Sequence, residues 1–232
     1  MRLQEPSKLL KLWTYALERD ANVVLIRHAP KAGGNNSYLS EEGERLAMAY
    51  GVIFGSALKA KQFALSCTSK NRTVQTLKLL FPIFDSTTYL YPFDLEVNKV
   101  TPSVQEQCDK LHMEVGFFRG YYGNHTYYFL EKLGGQFDEE NIHTIIAKRM
   151  ARGIRALFDL KQLVIYCGHS PSIEAGLETL LGLTLSELGG FLNPLDSIHL
   201  RLKENKIEWI ARINPIADYI DLENEVCFKN KF

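Results

Sequence analysis

The chain has 232 residues, and its 27 lysines and arginines balance its 27 aspartates and glutamates, so the formal net charge is zero. This balance excludes a generally basic nucleic-acid-binding protein, and no run approaches the ~20 apolar residues of a membrane span. Charged residues recur through residues 1–20, which excludes a clean signal-peptide core, and the four cysteines show no CxxC spacing. We therefore expect a cytoplasmic globular protein with reduced thiols and with neither nucleic-acid nor membrane partners.

The predicted elements alternate between helices and strands along the first third of the chain. Ser7–Glu18 carries apolar residues at helical spacing, and Asn22–Arg27 is a short β-branched run typical of a buried strand. After a glycine–asparagine loop, a helix is expected over Ser40–Leu58, with Ser40 as its N-cap. A second strand over Phe63–Ser66 and a helix over Ser69–Leu80, with Ser69 as its N-cap, follow.

The remaining elements continue this alternation beyond a less regular segment. Residues 97–138 are loosely patterned and rich in aromatic side chains, which indicates an insertion. The expected elements are a short strand over Tyr89–Tyr91, a long helix over Glu139–Asp159, a strand over Gln162–Cys167, a helix opened by Ser170 as N-cap with Pro171 after it, and an antiparallel hairpin of Ile198–Leu202 and Ile207–Ile213 around Asn205.

This order of elements indicates the fold class. Strands that alternate with helices of this length predict an α/β fold, a three-layer sandwich with a mostly parallel central sheet flanked by helices. No repeat, low-complexity tract or linker divides the sequence. We therefore expect a single domain over residues 1–232, with the insertion at about 97–138.

Polar residues follow three of the predicted strands, at the points where those strands end. Arg27 and His28 end the first strand, Arg72 lies in the first turn of the helix after the second, and His169 and Ser170 follow the third. In an open α/β sheet, ligands bind beyond the carboxyl ends of the strands, where helix N-termini also favour anions. Two arginines and two histidines that converge there predict a phosphate pocket.

Two other chemistries are disfavoured by the same residues. The loop of the cysteine phosphatases needs five residues between its cysteine and its arginine, but only four separate Cys67 from Arg72. A metal held by His28 and His169 would be repelled by the adjacent arginines. We therefore expect no metal and no organic cofactor.

The motifs resemble those of the histidine phosphatase superfamily, and they stand in the family's order over roughly residues 22–182. The family more often has Arg-His-Gly where this chain has Arg-His-Ala. The matching stretches are Arg27-His28-Ala29, Leu39-Ser40-Glu41-Glu42-Gly43, Cys67 to Thr76 with the second arginine, and Gly168-His169-Ser170-Pro171. The resemblance implies a phosphoglycerate mutase-like fold.

The resemblance also implies a role for each site residue. His28 would attack phosphorus to form a phosphohistidine, while Arg27, Arg72 and His169 would hold the phosphoryl oxygens. Asn35, in the loop after His28, is a further candidate for phosphate binding. In the branch of the family that this chain resembles, a carboxylic acid some tens of residues beyond the second arginine protonates the leaving group. The first choice for this acid is Glu96, followed by Asp94 and then Glu106.

The sequence thus predicts a phosphomonoester hydrolase that acts through a phosphohistidine on a phosphorylated small molecule or phosphoprotein. A homodimer is compatible with this prediction. The first alternative is a phosphoglycerate mutase-type phosphotransferase, although residues 30–36 lack the tryptophan and the arginine that the mutases carry in this loop. The second alternative is a non-catalytic phosphate-binding regulatory module.

Overall fold

The fold is described from a computed structural model of the chain. The residues that the structure describes are 1–32, 38–58, 61–68, 70–82, 142–160, 162–170 and 172–217. Among them, no helix is both long enough and apolar enough to cross a membrane.

Five strands form the central sheet, and helices cover both of its faces. The strands stand in the order β3-β4-β2-β5-β6; β2 and β3 pair in parallel with β4, and β5 and β6 add an antiparallel edge. A separate two-stranded sheet joins β1 to β7. The elements are β1 (Arg2–Leu3), α1 (Pro6–Glu18), β2 (Val23–Arg27), α2 (Glu41–Leu58), β3 (Phe63–Cys67), α3 (Asn71–Leu80), α4 (Ile142–Leu157) with a 3₁₀ turn (Phe158–Leu160), β4 (Leu163–Gly168), α5 (Ser172–Leu181), β5 (Ser197–Lys203), β6 (Lys206–Ile213) and β7 (Ile216–Ala217).

The two faces of the sheet pack into two separate apolar cores. Side chains alternate across each strand, so Val24 and Ile26 of β2 face α1, α2 and α3, whereas Val23 and Leu25 face α4 and α5. Nearly every residue of β2 and β4 is buried, as expected for parallel strands that are covered on both sides. The three-layer α/β prediction is therefore confirmed.

Most predicted elements are found within one or two residues of their expected bounds. The helices over α1 and α2, the strands β2, β3 and β4, and the β5–β6 hairpin are all present. The hairpin turn contains Glu204 and Asn205, both with positive φ, as a two-residue type I′ turn requires. The small β1–β7 sheet was not predicted, because two-residue strands leave no periodic signal.

Two predicted helix caps are wrong. Lys70, not Ser69, occupies the N-cap position of α3, and its side chain makes no capping hydrogen bond. Helix α5 begins at Ser172, so Ser170 lies one residue too early to be the N-cap. Its hydroxyl instead donates to the carboxylate of Glu174 at 2.6 Å. The predicted strand Tyr89–Tyr91, the insertion at 97–138, Ser69 and Pro171 lie outside the described residues.

Candidate active site

The carboxyl ends of β2, β3 and β4 lie side by side and bring the predicted residues together. β4 is the middle strand of the three, and the backbone bonds of the sheet continue into the loops beyond it. The amide of His28 donates to the Gly168 carbonyl at 3.1 Å, and the amide of Thr68 donates to the Cys167 carbonyl at 3.3 Å. These bonds place His28 and Thr68 beside the residue that follows Gly168, which is His169.

His28 is held in one tautomer by its own loop. Its side chain is buried, and its Nδ1 lies 2.7 Å from the Ala29 carbonyl oxygen, which only accepts hydrogen bonds. Nδ1 therefore carries the proton, and Nε2 presents a lone pair. The Nε of Arg72 donates to that Nε2 at 3.2 Å. His28 thus presents a nucleophilic nitrogen next to a guanidinium.

His169 is held in the opposite tautomer by a chain of hydroxyl groups. Arg72 Nη2 lies 3.4 Å from Nδ1 of His169, and because arginine only donates, Nδ1 carries the lone pair. Nε2 then donates to the Thr68 hydroxyl at 2.9 Å, and Thr68 in turn lies 2.8 Å from the Thr73 hydroxyl. Thr73 donates to the Lys70 carbonyl oxygen at 2.7 Å, which ends the chain on the backbone.

Both site histidines are neutral at pH 7. Burial is the largest cause that lowers the pKa of His28 well below its ordinary value, and the nearby His169 and Arg27 lower it further. Burial also lowers the pKa of His169 well below 6.5, assisted by the positive charges of Arg72 and Lys70. The rings lie edge to face, with their centroids 5.3 Å apart. This pocket therefore has a positive field but no protonated histidine.

The two arginines supply that field. Burial, and then the charge of Arg27, lower the pKa of Arg72, so the two guanidinium groups lie within range of each other's field. Arg27 is also held by its backbone, because its amide donates to the Asp196 carbonyl and its carbonyl accepts from the Leu195 amide, both at 3.0 Å. Its Nη1 donates to the Leu192 carbonyl oxygen. Cations this close to each other favour an anionic ligand.

Helix α3 holds the loop that follows His28 through polar side chains that face inward. The buried Thr76 hydroxyl accepts from the Ala29 amide at 3.0 Å and donates to the Arg72 carbonyl at 2.7 Å. Gln75 Oε1 accepts from the Leu39 amide at 2.9 Å. These two side chains connect the helix that carries Arg72 to both ends of the His28 loop.

Gly43 lets the first turn of α2 pack directly on the same loop. The Ser40 hydroxyl caps this helix by accepting from the Gly43 amide at 3.0 Å, as predicted, and the Ser40 amide donates to the Pro30 carbonyl at 3.1 Å. A Cβ at position 43 would overlap the Pro30 carbonyl oxygen. The glycine in Leu39-Ser40-Glu41-Glu42-Gly43 is thus required by this close approach.

The structure brings together Arg27, His28, Arg72 and His169 of the predicted site residues. Asn35 and the three candidate acids, Glu96, Asp94 and Glu106, lie outside the described residues. Within the described part of the chain, no group of three His, Cys, Asp or Glu side chains is arranged to hold a metal ion.

The residues that support the site were not predicted. Thr68, Thr73, Gln75 and Thr76 lie within the motif of the second arginine, and Glu174 lies five residues beyond His169. Their signal is polar side chains where amphipathic spacing predicts apolar ones, since Thr73, Thr76 and Glu174 are almost fully buried. A buried polar side chain needs a partner, which would have indicated a network.

Solved structures share this fold at low sequence identity. The phosphoserine phosphatase of Entamoeba histolytica, solved with 3-phosphoglyceric acid, superposes with a TM-score of 0.54 and 13% identity over 84% of this chain and 97% of its own. The protein of open reading frame Rv3214 of Mycobacterium tuberculosis superposes with a TM-score of 0.51 and 14% identity over 82% of this chain and 95% of its own. No protein-family model and no curated protein matches the chain.

Proposed function

We propose that this chain, whose fold is the phosphoglycerate mutase-like fold of the histidine phosphatase superfamily, hydrolyses phosphomonoesters through a phosphohistidine on His28. The observation that carries the proposal is the placement of His28 Nε2. His28 Nε2 accepts a hydrogen bond from Arg72 Nε at 3.2 Å, while Nδ1 is fixed by the Ala29 carbonyl at 2.7 Å. A phosphoryl group that displaces the Arg72 hydrogen bond would meet the freed lone pair and the guanidinium charge together.

In the first step, His28 Nε2 attacks phosphorus and the bond to the leaving oxygen breaks. Arg27, Arg72 and His169 would stabilise the charge that the phosphoryl oxygens carry in the transition state. His169 can do so only from a protonated nitrogen, and its Nε2–H is directed at Thr68. We therefore infer that the ring takes its second proton from solvent when the dianionic phosphate binds and raises the pKa of His169.

In the second step, water attacks the phosphohistidine, the N–P bond breaks, and inorganic phosphate leaves. A carboxyl group must donate a proton to the leaving oxygen in the first step and accept one from water in the second. Glu96 is the proposed acid, on the resemblance alone, with Asp94 and Glu106 as alternatives.

The test compares substitutions on two substrates. His28→Ala should abolish hydrolysis of p-nitrophenyl phosphate in a folded protein, and labelled phosphate should be trapped on His28 of the unmodified enzyme. Arg72→Gln should reduce the turnover of aryl and alkyl phosphates alike, on the order of 100-fold, because the Arg72 guanidinium that it removes would contact the phosphoryl group itself. Lys78→Gln is the matched control, since it removes an exposed charge from the same helix.

Glu96→Gln should separate the two substrates. Nitrophenolate leaves without a proton, so an alkyl phosphate should lose ~100- to 10,000-fold more than p-nitrophenyl phosphate does. Equal losses would transfer the role to Asp94 or Glu106. Wild-type turnover in His28→Ala would refute the mechanism, whereas a trapped phosphate that passes to a second alcohol rather than to water would indicate a mutase. Vanadate binding without turnover on any phosphomonoester would indicate a regulatory module.

A further inference from the structure

Glu174 is a buried carboxyl group that contacts residues next to the proposed phosphate pocket. It lies in the first turn of α5 and is only 1% exposed. Burial raises its pKa, although hydrogen bonds from Leu192 and Ser170 and the charge of Arg27 act in the opposite direction. A carboxyl group in an apolar environment is costly unless it is paired, so its contacts indicate what it does.

One oxygen of Glu174 joins the loop that carries His169 to the loop that contacts Arg27. Oε1 accepts from the Ser170 hydroxyl and from the Leu192 amide, each at 2.6 Å. Ser170 directly follows His169, and Leu192 belongs to the loop that runs into β5. Two donors on a single carboxylate oxygen fix the distance between these loops.

The Leu192 peptide connects Glu174 to Arg27. Its amide donates to Glu174 Oε1, and its carbonyl oxygen accepts from Nη1 of Arg27. The peptide therefore lies between a carboxyl group and a guanidinium, an arrangement in which each hydrogen bond polarises and strengthens the other. Arg27 is thereby held through its Nη1.

We infer that Glu174 is a positioning residue that orients Arg27 for phosphate through the Leu192 peptide. The inference rests on the proposed function, because it requires Arg27 to bind a phosphoryl group. A residue that only filled space between α5 and the loop would be an apolar side chain of the same length. Glu174 Oε2 has no hydrogen-bond partner among the described residues. Its burial therefore costs folding free energy that an apolar side chain at this position would not.

The test measures the affinity of the full chain for inorganic vanadate by titration calorimetry. Glu174→Met keeps the length of the side chain and removes both accepted hydrogen bonds, and it should weaken binding about 10- to 100-fold. Glu174→Gln keeps one oxygen for both donors and should recover most of that loss. In an Arg27→Met background, Glu174→Met should change the affinity less than about threefold, because the group it positions is absent.

Glu178→Met is the matched control, because this glutamate lies one turn later on the same helix and contacts the loop at Leu185 rather than at Leu192. Its vanadate affinity should equal that of the unmodified chain. If Glu174→Met does not fold, Glu174→Asp gives the same comparison with a carboxyl group that is one methylene too short. The inference is overturned by wild-type affinity in Glu174→Met or, where that variant does not fold, in Glu174→Asp. It is also overturned by an equal loss in Glu178→Met or by an undiminished loss in the Arg27→Met background. Absence of vanadate binding by the unmodified chain would instead overturn the proposed function.

Discussion

At the scale of single residues, the pocket depends on hydrogen bonds that assign different protons to its two histidines. His28 carries its proton on Nδ1, which donates to the Ala29 carbonyl, and His169 carries its proton on Nε2, which donates to Thr68. Neither assignment follows from residue type, since neutral histidine adopts both tautomers. The assignments come from one backbone carbonyl and from the Thr68–Thr73 pair, whose hydroxyls lie 2.8 Å apart.

Thr68→Val should weaken catalysis by removing the acceptor of His169 Nε2–H while keeping the size of the side chain. A neutral hydrogen bond contributes ~0.5–1.5 kcal/mol, so kcat/KM for p-nitrophenyl phosphate should fall about 2- to 13-fold. Thr68→Ser keeps the hydroxyl and should retain most of the activity. Long-range ¹H–¹⁵N spectra should also show that His169 loses its single tautomer in Thr68→Val, while His28 keeps its own. An unchanged His169 spectrum would contradict the assignment.

At the scale of elements, the site is positioned by two helices, α2 and α3, that pack on the loop after β2. Gly43 in α2 meets the Pro30 carbonyl, and Thr76 and Gln75 in α3 bond to the backbone of Ala29 and Leu39. Each contact is a short-range steric or hydrogen-bond requirement. Together they explain why these residue types occur at these positions of the motif.

Gly43→Ala should destabilise the protein although alanine is the better helix former. The new Cβ overlaps the Pro30 carbonyl oxygen, and overpacking of this kind costs ~1–3 kcal/mol in the free energy of unfolding. The matched variant is Gly55→Ala in the same helix, where the added Cβ meets nothing within 4 Å. It should stabilise the protein by about 0.5–1 kcal/mol. Urea unfolding of both variants checks the prediction, which fails if they shift the midpoint in the same direction.

At the scale of the whole molecule, periodicity predicted the layers, the order of the elements and the convergence of four site residues. These features depend on residue patterns within one element, or on the rule that parallel strands end at one edge. The predictions of two helix caps were wrong, because Lys70 occupies the N-cap position of α3 and the Ser170 hydroxyl donates to Glu174. Thr76 was missed because its hydroxyl accepts from the Ala29 amide, 47 residues away in the sequence. Glu174 was missed because one of its two donors, the Leu192 amide, lies in a loop without a sequence motif.

Buried histidines should also make the stability of the whole molecule depend on pH. Burial lowers the pKa of His199 to about 3, so below pH 6.5 the unfolded chain binds a proton that the folded chain does not. The folded state therefore loses about 1.4 kcal/mol per pH unit from this residue as pH falls from 6.5. Asp196, whose pKa burial raises to about 6, acts in the opposite sense below pH 6, because its folded form gains a proton first.

His199→Gln isolates this contribution, since every other titrating group is common to both proteins. When the pH is lowered from 6.5 to 5, the unfolding free energy of the variant should rise by about 2 kcal/mol relative to that of the unmodified chain. Urea unfolding at the two pH values measures the difference. A constant difference between the two proteins across this range would show that His199 is protonated in the folded state.

The position of β4 between β2 and β3 has a consequence for how the protein acquires activity. β2 and β3 come earlier in the chain, yet neither is bonded to the other, and both complete their parallel ladders only on β4. Apart from the hydrogen bonds of Thr76 and Gln75, His28 and Arg72 are joined through the sheet only after a strand more than 80 residues beyond Arg72 has inserted between β2 and β3. Such distant pairings form late, because loop closure opposes them. During refolding, helical signal should return before phosphate affinity, so a nascent or truncated chain that ends before Leu163 carries the first two motifs without a pocket.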